Sequence, residues 1–434
     1  MELTLQKLDF PRSVEAVTSK SIAHRMLICA AFCQRSTHVK FRRVGSDILH
    51  TIHCLQALGA GIRDIRESND GIFECIIEPI EDLPQEAVLD CGDSGSTLRF
   101  LIPVVAAFGV HAVFLRDGRL AQRPLQPLTD LLETHGVRLY TDDEGLLHSE
   151  GKLEGNGFRI SGRVSSQFIS GMLFAMSLMP DPTELEIYGP IESKPYIELT
   201  IGILNAYGVT PVFKDGLVSM PGNRAQHLHR PRCFMAEGDW SGSAVFLCAG
   251  AIGSHPVRVS GIRRRSLQGD RRIVDLLTEF GAKVYKEQDN SVTAAPGRLH
   301  GIEIDGRDIP DLIPALACVA AAASGKTVIR NADRLRLKES DRLAALSAML
   351  GAMGVRVTET EDGLEILGGK PLHGATVDAL HDHRMAMAAS LLALLVPDEE
   401  SVLLRDAESV GKSWPGYWTD LGIELPGDAE EAQD

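Results

Sequence analysis

No stretch of this chain is apolar for long enough to cross a bilayer. The longest apolar runs, near Phe100–Val110 and Ile313–Ala323, fall short of the roughly 18 residues a spanning helix needs. The first residues, MELTLQKLDF, have no apolar h-region, so no signal peptide is expected and the expected compartment is the cytoplasm. Cysteine pairing signals are missing too. None of the eight cysteines, Cys29, Cys33, Cys54, Cys75, Cys91, Cys233, Cys248 and Cys318, forms a CxxC pair, and several sit in apolar runs. That pattern argues against a metal site and against a disulfide framework; buried reduced thiols are expected. A basic excess is also absent. The formal net charge is −15, which excludes a sequence-independent nucleic-acid binder. It does not exclude anionic ligands, because a local Arg/Lys cluster outweighs a distant acidic surface. Part of the acidity lies in the last residues, Glu424 to Asp434, read as a frayed tail.

Nucleotide and nucleophile motifs are lacking as well. The triplets Gly325-Lys326-Thr327 and Gly411-Lys412-Ser413 have Ala320 and Asp406 where a P-loop needs its first glycine. No GxGxxG follows a strand-like run. Gly92-Asp93-Ser94-Gly95-Ser96 does not fit the G-x-S-x-G elbow of a serine hydrolase.

What the chain does have is repetition. At 434 residues it is long enough for two or three domains. A leucine-type residue, a glycine and a β-branched or apolar pair recur at Gly59, Gly136, Gly208, Gly281, Gly354 and Gly422, spaced 77, 72, 73, 73 and 68 residues apart. Each copy reads as a helix end, a left-handed glycine cap and entry into a strand. Apolar segments beginning at Ser19, Gly95, Ser165, Asp239, Asp311 and Asp382 run in phase, each 40 to 43 residues before its glycine. Six pairs in phase imply an internal repeat of about 72 residues. The first helix of each unit is apolar nearly all round and should be buried; the second keeps a charged face, as in DRRIVDLLTEFG. Strand-like runs such as HAVFLRD, ELEIYG, VRVSG and KTVIRN lie between them. One unit reads β-α-β-α-β-β. Six of them, grouped three and three, give an α/β protein of two similar domains whose helices lie inside a shell of sheet.

Each buried helix begins with polar residues: Ser19-Lys20-Ser21, Asp93-Ser94-Gly95-Ser96, Ser165-Ser166-Gln167, Asp239, Asp311 and Asp382-His383-Arg384. Ordinary helix capping accounts for any one of these ends. As a set they have a second reading. Lys20, Arg25, Arg99, Arg123, Arg342, Arg384 and Lys412 lie at these starts or in the nearby loops. Unpaired N–H groups, a positive dipole end and a cation together suit a phosphate or carboxylate. Several such ends in a cleft between domains would hold more than one anion. The densest segment, LRLKESDRLAAL, reads either as a solvated helix start or as a carboxyl, Glu339, held among cations, with Lys338 and Arg342 four apart on one helical face.

At this point the chain resembles the enolpyruvyl transferase family, in its 5-enolpyruvylshikimate-3-phosphate synthase branch. The motifs are SKSIAHR (19–25), GDSGSTLR (92–99), QRPLQPL (122–128), SSQF (165–168), SKPY (193–196), IPDLIPALA (309–317), LRLKESDRL (335–343), DHRMAMA (382–388) and GKSWPGYW (411–418). They run in order through nearly the whole chain, to about Leu425. The resemblance implies an inside-out α/β barrel in each of two domains. The split it implies is residues 20–236, the acceptor-binding half, against 1–19 plus 237–427, the acid/base half, with 428–434 an acidic tail. The sibling UDP-N-acetylglucosamine carboxyvinyltransferase has Lys-Asn at the first helix and a loop cysteine. Here stand Lys20-Ser21 and a loop, Leu115–Arg123, without cysteine. A non-catalytic metabolite-binding relative is the other alternative; intact Lys20, Arg123, Asp311, Glu339 and Arg384 speak against it.

The implied reaction moves the carboxyvinyl group of phosphoenolpyruvate to the 5-hydroxyl of shikimate 3-phosphate, in the shikimate route to chorismate and aromatic amino acids, a herbicide target. By resemblance Lys20, Ser21, Arg25, Ser165, Ser166, Gln167, Ser193, Asp311 and Lys338 bind shikimate 3-phosphate, with Tyr196 close by. Lys20, Gly95, Arg123, Gln167, Arg342, Arg384 and Lys412 bind phosphoenolpyruvate. Asp311 is the implied base for the hydroxyl and Glu339 the acid for the methylene carbon, with Lys20 as the second candidate acid. No metal or other cofactor is implied, because Arg and Lys neutralise the anions. The expected state is a monomer that closes on its substrates. Asp93, Phe100 and Arg334 depart from residues usual in parts of the family. Gly95 keeps the open space that the resemblance associates with glyphosate sensitivity.

Overall fold

The computed structural model describes residues 1–67, 71–222 and 233–425; the expected acidic tail, 428–434, lies outside the described residues. Twelve α-helices are present among them: α1 (Lys20–Ala31), α2 (Ser46–Ala57), α3 (Gly95–Phe108), α4 (Leu128–Glu133), α5 (Ser166–Leu178), α6 (Lys194–Ala206), α7 (Trp240–Ile252), α8 (Ile273–Phe280), α9 (Ile313–Ala322), α10 (Arg342–Ala352), α11 (His383–Ala393) and α12 (Tyr417–Asp420). The odd-numbered helices are the apolar ones and are buried along almost their whole length, as all-round hydrophobicity requires. The even-numbered helices keep an exposed side: Asp275 and Glu279 of α8 face solvent while Ile273, Leu276, Leu277 and Phe280 are buried.

The chain forms two compact units, residues 18–237 and residues 1–17 with 238–434, and each has its own hydrophobic core. Among the described residues each unit holds three sheets. In a complete repeat the first strand runs parallel to the second across the buried helix, and a hairpin closes the sheet antiparallel to the second. Gly157–Ser161 pairs in parallel with Thr183–Tyr188, which pairs antiparallel with Leu217–Met220, itself antiparallel to Val212–Lys214. A helix is what allows the parallel step, since parallel neighbours need a long crossover. Along Thr183–Tyr188 burial alternates residue by residue: the inner face meets the helices and the outer face carries charge.

The repeat glycines, Gly59, Gly136, Gly208, Gly281, Gly354 and Gly422, all lie in the left-handed region, with φ between +71° and +104°. Five of the six lead into a strand. After Gly422 no strand follows among the described residues; the N-terminal strand Glu2–Leu5 pairs antiparallel with Val402–Arg405 where other sheets use their hairpin. The sixth repeat is therefore completed from the start of the chain, a departure from six contiguous β-α-β-α-β-β units. Two other sheets borrow their first strand from a remote segment: Cys233–Met235 for the sheet that holds Thr37–Arg42, and Ser13–Glu15 for the sheet that holds Val257–Ser260.

The cysteine expectation needs one correction. Seven of the eight thiols are buried and free, but Cys233 is exposed, because it lies on an edge strand. No group of His, Cys, Asp or Glu among the described residues is placed to hold a metal ion. No helix among them is long and apolar enough to cross a membrane.

Candidate active site

In the unit of residues 1–17 and 238–434 the site is built around Arg342, the first residue of α10, which is 1% exposed. Its guanidinium donates to three carboxylates: Nη1 to Asp311 Oδ1 at 2.8 Å, Nη2 to Glu339 Oε2 at 3.0 Å, and Nε to Asp382 Oδ2 at 2.7 Å. A second bond runs from Nη2 to Asp382 Oδ1 at 3.1 Å, making that pair bidentate. Burial alone would lower the Arg342 guanidinium, but Asp382, Glu339 and Asp311 hold it raised. Lys338 Nζ donates to Asp311 Oδ1 at 3.2 Å, and Lys412 Nζ lies 3.8 Å from Glu339 Oε1. Burial pushes the Asp311 carboxyl up, yet Lys338, Arg342 and Arg384 together hold it well below the ordinary aspartate value. Burial lowers the Lys338 ammonium, against the pull of Asp311. Arg384 joins through α11: its backbone N–H donates to Asp382 Oδ1 at 2.9 Å, and its Nη2 lies 4.0 Å from Asp239 Oδ2.

Two expectations are corrected here. Lys338 and Arg342 do not share a helical face. Lys338 ends a 3-10 turn, Asp333–Leu337, and α10 starts only at Arg342; the two cations meet because both reach Asp311. Nor does Asp311 cap its helix: α9 begins after Leu312, and the Asp311 carboxylate is engaged by the cations. Four of the six polar ends do act as caps, since Ser94, Ser165, Asp239 and Asp382 accept from backbone N–H groups of their helices.

In the unit of residues 18–237, α1 carries Lys20, Ser21 and Arg25. Lys20 Nζ donates to Asp47 Oδ2 of α2 at 2.9 Å. Arg25 is buried and its four bonds all go to neutral acceptors: Thr200 Oγ1 at 2.8 Å, the Ser21 carbonyl at 2.7 Å, and Ser170 Oγ and the Tyr196 carbonyl at 3.2 Å each. Its guanidinium also lies over the Phe100 ring, 4.9 Å from the centroid. Burial pushes Arg25 down to about 10, so it stays charged at neutral pH. Gln167 is fixed at both ends of its amide, by Arg99 Nη1 at 2.7 Å and by Ser96 Oγ at 3.0 Å. Ser165 and Ser166 open α5, and Ser193, at φ +52°, precedes α6. Gly95 does not front open space: a Cβ there would stand 2.8 Å from Arg123 Nη1, because that guanidinium occupies the room beside the first turn of α3.

Sequence reasoning assigned no role to Asp47, to Ser340, which bonds Asp382 at 3.0 Å, or to Asp382 beyond capping. Each acts on a residue far along the chain, and no local spacing marks it.

Comparison with known proteins gives one answer. The family model described as EPSP synthase (3-phosphoshikimate 1-carboxyvinyltransferase) matches residues 9–421. A 3-phosphoshikimate 1-carboxyvinyltransferase of Clostridium perfringens is 36% identical over 413 residues, covering 94% of this chain and 95% of that protein. The one from Clostridioides difficile is 35% identical over 419 residues, covering 94% of both. Among solved structures, the EPSP synthase of Acinetobacter baumannii superposes with a TM-score of 0.77 at 24% identity, over 97% of each chain. The enolpyruvyl transferase NikO from Streptomyces tendae gives 0.75 at 18% identity, over 97% of this chain and 96% of its own.

Proposed function

The chain belongs to the EPSP synthase family and is a carboxyvinyl transferase of the shikimate pathway, and from that premise we propose how its residues divide the work. The reaction joins the carboxyvinyl group of phosphoenolpyruvate to the 5-hydroxyl of shikimate 3-phosphate and releases phosphate. Addition followed by elimination must remove a proton from the hydroxyl, deliver one to the methylene carbon, and hold two phosphates and two carboxylates in place.

The observation that carries the assignment is the sharing of Arg342 by Asp311 and Glu339. One buried guanidinium fixes both carboxylates, so base and acid are set relative to each other before any substrate arrives. Asp311 takes the hydroxyl proton. Held low by Lys338, Arg342 and Arg384, it is ionised at neutral pH. Substrate anions that reach Lys338 and Arg384 draw charge from it and raise its proton affinity toward that of a useful base. Glu339, between Arg342 and Lys412, delivers the proton to the methylene carbon, with Lys20 as second candidate. In this proposal Arg123, Arg384 and Lys412, with Gly95, Gln167 and Lys20, take phosphoenolpyruvate, while Arg342 mainly orients the two carboxylates. Ser21, Arg25, Ser165, Ser166, Gln167, Ser193 and Lys338 take shikimate 3-phosphate. Arg25 suits an anion because its partners are neutral and leave its charge uncompensated. Residues 18–237 thus supply most acceptor contacts, and the other unit supplies the acid and base. The chemistry assigned to these side chains calls on no metal, and the enzyme is read as a cytoplasmic monomer.

Phosphate release that depends on both phosphoenolpyruvate and shikimate 3-phosphate tests the reaction. Single-turnover formation of the tetrahedral intermediate tests the acid: Glu339→Gln should slow it by about 10²–10⁴-fold. A near-normal rate would remove Glu339 from that role and leave Lys20.

A further inference from the structure

We propose that Asp270 is a positioning residue for the phosphoenolpyruvate end of this reaction: its carboxyl, anchored on Ser241 in the first turn of α7, sets the charge felt by Arg384 and Asp311. The inference rests on the assignment of Arg384 to phosphoenolpyruvate given above.

Asp270 lies in a 3-10 turn, Gly269–Arg272, and is buried. The approach to that turn is fixed firmly. Gln268 accepts from the Trp240 backbone N–H at 3.1 Å, donates to the Gly238 carbonyl at 2.9 Å, and has its own N–H bonded to Ser266 Oγ at 3.0 Å. These bonds seat the turn on the start of α7, where Ser241 Oγ donates to Asp270 Oδ2. Asp239, the cap of the same helix, lies 4.0 Å from Arg384. The charged groups that bear on Asp270 are thus Asp239 of α7, Asp311 before α9 and Arg384 of α11. Lys338, Glu339 and Arg342 in turn bear on Asp311. Arg271 and Arg272 on its own turn, and Asp275 and Glu279 on α8, are exposed to solvent.

A carboxyl in this corner ionises less readily than an exposed one. Burial and the Asp311 charge push it up, Ser241 and Arg384 pull it down, Asp239 pushes up again, and the balance falls at about 7. Protonated, Asp270 is neutral and leaves the charge of Arg384 for a substrate anion. Ionised, it adds negative charge where an anion must bind. Phosphoenolpyruvate affinity should therefore weaken as the pH rises through neutrality, through a group that never touches the substrate.

The test uses the full-length enzyme. Asp270→Asn keeps the shape and an acceptor for Ser241 but cannot ionise. The ionisation of the substrate phosphate is common to parent and variant, so only their difference counts. From about pH 6 to about pH 9, KM for phosphoenolpyruvate should rise about three- to tenfold more in the parent than in Asp270→Asn, with the kcat ratio changing less. Ser241→Ala removes a donor that favours the ionised form, so the same inflection should move to higher pH. Difference infrared spectra of the ligand-free enzyme should show a protonated-carboxyl band in the parent at low pH that Asp270→Asn lacks. Superimposable KM profiles for parent and Asp270→Asn overturn the proposal. So does an inflection unmoved by Ser241→Ala, which keeps the test open if the first variant fails to fold. A parent that releases no phosphate from the two substrates at any pH would instead overturn the reading of the reaction itself.

Discussion

His24 shows how a single buried side chain ties the fold to the site. It is fully buried in α1, its Nδ1 lies 2.7 Å from Thr51 Oγ1, and that hydroxyl lies 2.7 Å from Thr97 Oγ1, which donates to Ser94 at 2.7 Å. The chain of hydroxyls joins α1, α2 and the cap of α3, next to Gly95. Burial pushes the imidazole down to about 3, against the opposing pull of Asp47. The folded protein therefore holds His24 neutral where the unfolded chain would take up a proton. Its stabilising contribution is complete above the ordinary histidine value and is lost as the pH falls toward 3. Between about pH 6.5 and about pH 5 stability should drop by about 2 kcal/mol from this residue alone. Urea denaturation across that interval checks it: His24→Asn should flatten the dependence, and an unchanged slope would remove His24 as its source. At this scale the sequence was readable where a motif carried the chemistry. LRLKESDRL points to Lys338, Glu339 and Arg342, but not to their geometry, since its four-residue spacing runs through the bend that separates the 3-10 turn from α10 and not along a helix. Asp47 and Asp382 escape because a carboxylate that orients a distant cation leaves no trace in local spacing.

Among the elements, the buried helices were the legible part, because a helix apolar on every side has nowhere to lie but inside. The repeat glycines were legible for a different reason: a helix that must turn at once into a strand needs φ above zero at its end, and glycine adopts it without strain. The close approach of α3 and α5 was not legible. It depends on Gly171, where a Cβ would stand 2.3 Å from the Arg99 carbonyl and 2.9 Å from Pro103 Cγ. Those atoms belong to the helix that carries Gly95 and Arg99, and Arg99 in turn holds Gln167 of α5. Gly171→Ala must push the two helices apart, at a cost of about 3 kcal/mol, and should raise KM for phosphoenolpyruvate by displacing Gln167. Gly157→Ala, where a Cβ meets nothing within 4 Å, serves as the control and should change stability by less than about 0.5 kcal/mol. Denaturant melts of the two variants check the pair, and equal stabilities would show that the helices have room to give.

For the molecule as a whole, the consequential feature is that its sheets are not closed by contiguous sequence. Cys233–Met235 enters the sheet of Thr37–Arg42 from the far end of residues 18–237, and the Ala236 N–H then bonds the Lys40 carbonyl at 3.0 Å. Ser13–Glu15 plays the matching part beside Val257–Ser260 in the other unit. Periodicity could count the repeats but could not assign these strands, because three-residue strands carry almost no pattern and their partners lie some two hundred residues away. The arrangement predicts how the chain can be cut. A fragment of residues 18–237 retains its three sheets and its own core, so it should unfold cooperatively. Ending the fragment at residue 232 removes an edge strand and its ladder bonds, and should cost on the order of 3 kcal/mol. The longer fragment has most of the proposed acceptor contacts but neither Asp311 nor Glu339. It should bind shikimate 3-phosphate, more weakly than the whole chain, and release no phosphate from phosphoenolpyruvate. Circular-dichroism melts of the two fragments, with calorimetric titration of shikimate 3-phosphate, check each step. Equal stability of the fragments would mean that the returning strand is not part of what holds the sheet. Turnover by the longer fragment alone would show that the acid and base lie within residues 18–237 and not on the two carboxylates that share Arg342.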